Sequence, residues 1–189
     1  MRKRGIRYWT MPGLAGSDAG HWQTIWERQR PSEFDRVQQE NWDWPVMTAW
    51  VEALQQKLEG ANSPVVLVAH SMGCITLAHW SKRYFSDKVA GALLVAPADA
   101  ERSPRLSFVE GFTPIPTEPL PFPSIVTAST NDIYMTIARA EYFAAKWGSR
   151  FICVGEQGHI NASSGLGEWT FGLQVLEELT GIILGKGHD

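Results

Sequence analysis

The chain has 189 residues, of which 44% are hydrophobic and 20% charged, with a formal net charge of −3. That length suits one domain with a sizeable core, expected to run over residues 1–189. The charge balance gives no pull toward nucleic acid or an anionic membrane, and no apolar run is long enough to span a bilayer.

The basic start, MRKRG, reads as a solvated tail, and no signal-peptide pattern follows it. Cys74 and Cys153 are the only cysteines and sit in apolar surroundings, GCITLA and RFICVG. They read as buried free thiols rather than as a disulfide or metal ligands. These features together point to a cytoplasmic location.

Strands and helices alternate from the start. IRYWTMPG (6–13) reads as a strand, GHWQTIWERQR (20–30) as an amphipathic helix and FDRVQQEN (34–41) as a weaker strand. PVMTAWVEALQQKLEG (45–60) is a helix, with Pro45 suited to a first turn and Gly60 to a C-cap. PVVLVAHS (64–71) and VAGALLVAPAD (89–99) are nearly continuous apolar runs, the pattern of strands buried on both faces. Between them lies the helix MGCITLAHWSKRYF (72–85). PSIVTASTND (123–132) and RFICVGEQGH (150–159) are the remaining strands. IYMTIARAEYFAAKWG (133–148) and GEWTFGLQVLEELTGII (167–183) are the remaining helices. The alternation predicts an α/β fold with a parallel sheet of about six strands and helices on both faces.

Residues 104–123 break the pattern. Their prolines, from Pro104 to Pro123, exclude a regular helix. The segment reads either as a stiff surface connector or, with Phe108 and Phe112, as a fixed wall over the site.

Ligands gather at the carboxyl ends of parallel strands. Those ends carry Pro12-Gly13-Leu14, Ser71, Asp99, Asp132 and His159. Ala69-His70-Ser71-Met72-Gly73 fits the nucleophile-elbow pattern G-x-S-x-G, with Ala69 in place of the first glycine. Small residues are needed there because strand and helix backbones nearly touch. The return is an exposed serine Oγ at a helix N-terminus, with the Met72 N–H facing a developing oxyanion. The same serine would also suit a plain N-cap, so a base has to decide. His159 is the best placed, in a loop beside Gly158, whereas His70 lies inside the elbow and His79 down the helix. His188 belongs to the terminal tail, and His21 is a residue that lines the site. Asp132 or Asp99 could orient the imidazole; a helix beginning right after Asp132 favours it. Leu14 N–H, in a glycine-rich loop, is the second oxyanion donor. No phosphate-binding loop pattern is present.

Taken together, PGLAGSDAGHWQTIWE, QENWDWP, VLVAHSMGC, LLVAPAD, LPFPSIVTASTND, WGSRF and GHINASSGLGEW resemble the α/β-hydrolases. More narrowly, they resemble the retinoblastoma-binding-protein-9-like (YdeN-like) small serine hydrolases. The resemblance runs from residue 12 to about residue 170. It implies a triad of Ser71, Asp132 and His159, and a minimal fold without the first two strands of larger relatives and without a separate lid domain.

The chain is therefore expected to cleave a small carboxylic ester, thioester or activated amide through an acyl-enzyme, without metal or cofactor. The competing readings are acyl transfer by the same triad and a protein-binding module with little turnover. Trp22, Trp42 and Trp44 fall on loops after strands and, with His21 and Phe112, are candidates for the substrate pocket; Asn161 and Ser163 are candidate braces of the His159 loop.

Overall fold

Every strand pair is parallel, because each strand is separated from the next by a crossover. The computed structural model describes residues 6–185. The basic start and His188 lie outside the described residues. The strands are β1 (Arg7–Met11), β2 (Phe34–Arg36), β3 (Val65–His70), β4 (Val89–Val95), β5 (Ser124–Ala128) and β6 (Arg150–Cys153). They lie in the order β2-β1-β3-β4-β5-β6. The helices are α1 (Trp22–Gln29), α2 (Met47–Glu59), α3 (Met72–Arg83), α4 (Ile137–Trp147) and α5 (Thr170–Gly185). None is long and apolar enough to cross a membrane.

All six residues of β3 are buried, which explains its unbroken apolar run. Alternate residues serve opposite faces. Val65, Leu67 and Ala69 join a core with Trp50, Leu54, Ile75, Phe143 and Trp147, contributed by α2, α3 and α4. Val66 and Val68 join Trp22, Trp26, Leu173 and Leu176, contributed by α1 and α5. Each such valine or leucine contributes about 1.5–3 kcal/mol on burial. The run expected to be a strand from Phe34 to Asn41 pairs only over Phe34–Arg36. The α4 boundaries follow local chemistry: Thr136 caps the start and Gly148, at φ 68°, ends it.

The proline-rich connection is neither a plain surface link nor a wall over the elbow. Leu106, Phe112, Ile115 and Leu120 are buried. Phe112 packs edge-on against Trp50 and His79, and Trp147 Nε1 donates to the Pro116 carbonyl at 2.8 Å. The apolar residues between the prolines thus hold the segment on the α2–α4 face. Cys74 is buried, as expected, but Cys153 is exposed. It ends β6, the edge strand, where one side of the ladder has no neighbour.

Strand order reverses direction at β1. The chain leaves β1 toward β2, then returns to β3 on the other side, and the two departing loops part to open a crevice. The first turn of α3 rises into that gap against the end of β1. A Cβ on Gly73 would lie 2.1 Å from the Met11 carbonyl oxygen. Gly73→Ala is therefore expected to lower unfolding free energy by about 2–4 kcal/mol, measured by urea denaturation.

Candidate active site

Ser71 sits between β3 and α3 with φ 56° and ψ −122°. A non-glycine residue at that φ is strained by about 1–3 kcal/mol and persists only where its surroundings hold it. The hold is mechanical. The Ser71 N–H donates to the Val95 carbonyl at 3.0 Å, and Gly13 presses against the serine from the other side. A Cβ on Gly13 would stand 2.6 Å from Ser71 Cβ and 3.0 Å from its Oγ. Ser71 makes no side-chain cap on α3. Its Oγ instead lies 2.8 Å from His159 Nε2.

His159 arrives from the loop after β6, and its Nδ1 lies 2.8 Å from Asp132 Oδ2 and 3.0 Å from Oδ1. The carboxylate accepts, so Nδ1 carries the hydrogen and Nε2 is left to accept from the serine. Asp132 Oδ1 also takes the Tyr134 N–H at 2.8 Å. The Tyr134 ring covers the imidazole with centroids 4.3 Å apart. Ser71, Asp132 and His159 thus meet across the crossovers. Asp99 does not join them. It is buried and gripped by Arg139, Nε to Oδ2 at 2.7 Å and Nη2 to Oδ1 at 3.1 Å.

Leu14 and Met72 are each the first residue of a helical turn, so neither N–H has an acceptor within its own turn. Leu14 lines the cleft beside Ser71, and His21 forms part of the same wall. His21 also caps α1, its Nδ1 accepting the Gln23 N–H at 3.2 Å. Trp22 and Phe112 do not line the cleft. Trp22 is buried against Trp26 and Trp169, and Phe112 lies under the α2–α3 face, because both side chains bury more apolar area there. Trp42 packs on Trp50, while Trp44 is exposed beside Phe108; neither reaches the cleft.

Other residues of the site carry no motif. Ser129 Oγ accepts the Gln157 N–H at 2.9 Å, and Asn131 Oδ1 accepts the Gly158 N–H at 2.7 Å. Both follow β5 and shape the loop that carries His159. Of the expected braces, Asn161 caps its own turn, and it is Ser164 rather than Ser163 that reaches back, Oγ donating to the Gln157 carbonyl at 2.7 Å. The STND and GHINASS stretches are rich in turn-forming polar residues, which is the one sequence signal available for these bonds.

Two buried histidines border this cluster. Burial lowers the pKa of His21 from 6.5 to about 4. Burial, chiefly, also holds His70 well below the ordinary range, aided by the nearby His21 and His159. Both are neutral in the native state near pH 7, while in the unfolded chain they take up protons below about 6.5. The folded protein therefore binds fewer protons, and stability falls as pH drops from 6.5 toward 4. The unfolding free energy from denaturant titrations at pH 7 and pH 5 is expected to fall with pH, approaching a limiting slope of about 1.4 kcal/mol per pH unit for each such histidine, and to fall less steeply in His70→Gln.

The serine hydrolase family profile matches residues 8–178. A YdeN-like hydrolase from Pectobacterium atrosepticum is 36% identical, with a TM-score of 0.83 over 95% of this chain and 93% of its own. The ydeN gene product of Bacillus subtilis is 18% identical, with a TM-score of 0.77 over 93% of this chain and 98% of its own. A thermophilic esterase from Thermogutta terrifontis shares the fold at 15% identity and a TM-score of 0.69, over 95% of this chain and 90% of its own. No protein of curated function matches the sequence. With the profile spanning almost the whole α/β-hydrolase fold, the chain belongs to the serine hydrolase family, on its YdeN-like branch.

Proposed function

We propose that the protein is an esterase-like hydrolase of small acyl esters that works through a Ser71–His159–Asp132 triad. The observation that carries this reading is the continuous hydrogen-bonded chain from Ser71 Oγ through the imidazole to the Asp132 carboxylate, with 2.8 Å at each link. Ser71 Oγ attacks the carbonyl carbon while its proton passes to His159 Nε2. Asp132 stabilises the imidazolium that forms. The tetrahedral oxyanion is met by the Leu14 and Met72 N–H groups, at the positive end of the α3 dipole. Collapse breaks the bond to the leaving group, which takes the proton from Nε2. Water, deprotonated by the same nitrogen, then attacks the acyl-enzyme and restores Ser71.

The cleft limits the acyl group. Its volume beside Ser71 is about 180 Å³. A liquid water occupies about 30 Å³, so this space suits an acyl chain of a few heavy atoms. Its walls mix polar and apolar surface, with Ser17, Asp18, His21, Tyr134, Asn161 and Ser163 beside Leu14, Ala15 and Ala162. The tryptophans that would favour a long acyl chain face elsewhere.

A fluorophosphonate probe is expected to label the wild-type protein and to leave Ser71→Ala unlabelled; undiminished labelling of that variant defeats the proposal. Asp132→Asn should reduce kcat roughly a thousandfold or more, because the imidazole loses its fixed tautomer. Across p-nitrophenyl esters, kcat/KM should be highest for acetyl and butyryl groups and fall at least about tenfold by decanoyl, a chain too long for the cleft. Equal rates at all lengths would remove the size argument.

A further inference from the structure

His159 stands on a turn that its own sequence does not favour. Gly158 lies at φ 56° and Ile160 at φ 48°. For a β-branched residue that φ is a genuine outlier, so something outside the turn must hold it. Two buried side chains reach it from beneath. His70 Nε2 lies 2.9 Å from the His159 carbonyl oxygen, and Trp22 Nε1 donates to the Ile160 carbonyl at 2.8 Å. A carbonyl can only accept, so His70 carries its hydrogen on Nε2.

We propose that His70 and Trp22 are positioning residues, which clamp the two successive carbonyls of His159 and Ile160 and so set the angle at which the imidazole meets Ser71. The inference rests on the triad reading above. His70 is the chain neighbour of Ser71, so its side chain ties the residue before the nucleophile to the backbone of the base. Its ring is fixed between His21 and His159, at centroid distances of 4.6 Å and 4.9 Å. The Trp22 indole stands edge-on to His70 and is wedged against Trp26 and Trp169. Neither donor has room to swing. Burial keeps the His70 imidazole neutral, so the same single N–H serves the clamp across neutral pH. The residue between Ala69 and Ser71 is thereby more than filler in the elbow, and Trp22 acts on the cleft without lining it.

The test compares His70→Leu, which removes the donor, with His70→Gln, whose Nε2 reaches the place of the imidazole Nε2. In His70→Leu, kcat on p-nitrophenyl acetate should fall about 10- to 100-fold with KM within about twofold of wild type. His70→Gln should recover most of that loss. Trp22→Phe keeps a ring but loses the N–H, and should reduce kcat about three- to tenfold. The proton bridging His159 Nδ1 and Asp132 gives a far-downfield NMR resonance, read in a Ser71→Ala background. It should shift or broaden in His70→Leu and return in His70→Gln. Circular dichroism and thermal melts confirm that each variant folds. A folded His70→Leu protein with unchanged kcat and resonance overturns the clamp, as does a His70→Gln protein no better than His70→Leu. Because the resonance is read without Ser71, a failure of the nucleophile assignment shows separately, as turnover surviving in Ser71→Ala.

Discussion

Between the end of β1 and the first turn of α3 there is no space for a side chain. Gly73 lies where a Cβ would touch the Met11 and Pro12 carbonyls, and Gly13 lies where one would touch Ser71 itself. This contact forces the chain to leave β3 and enter α3 through a single residue. That residue must take a backbone conformation that L-amino acids avoid. That conformation turns Ser71 Oγ toward His159 and sets it beside the cleft, at the N-terminus of α3. The roles proposed for Ser71 Oγ and for the Met72 N–H thus rest on one steric constraint.

The polar groups around this corner divide their labour by partner. Asp132 spends its oxygens on His159 and on the Tyr134 N–H. Asp99 ties the β4 loop to α4 through Arg139, and its N–H donates to the Tyr134 carbonyl. Tyr134, held from both sides, shields the imidazole face. The aspartate that does not reach the imidazole therefore steadies the residue that covers it. A buried, paired carboxylate of this kind is costly to disturb.

Much of this was legible in the sequence. The alternation of apolar runs and helical periods marks the six strands and five α-helices of the described residues, because strands buried on both faces leave unbroken apolar stretches such as VVLV and ALLV. Small residues around Ser71 mark the elbow, since only they permit the backbone contact. What could not be read was direction. Trp22 and Phe112 are large and apolar in any environment, and nothing local says whether a ring turns to the cleft or to the core. Asp99 and Asp132 both follow strands; the sequence favours Asp132, but that Arg139, seven residues beyond it, grips Asp99 is seen only in the structure. The proline-rich run shows that no helix forms there, but not which face its buried residues seek. For the bonds of Ser129, Asn131 and Ser164 to the His159 loop, composition marks the turns but not which backbone group each side chain reaches.

Ser71 and His159 hang from strands of unequal security. Ser71 follows β3, at the centre of the sheet and buried throughout. His159 follows β6, a four-residue strand at the margin with neighbours on one side only and both terminal residues exposed. Such margins open at a lower free-energy cost than sheet centres do. When this one opens, His159 departs while Ser71, the α3 N-terminus and the core stay in place. On the triad proposed above, loss of activity and denaturation become separate events. The working lifetime would then be set at the edge of the sheet rather than by unfolding of the whole molecule.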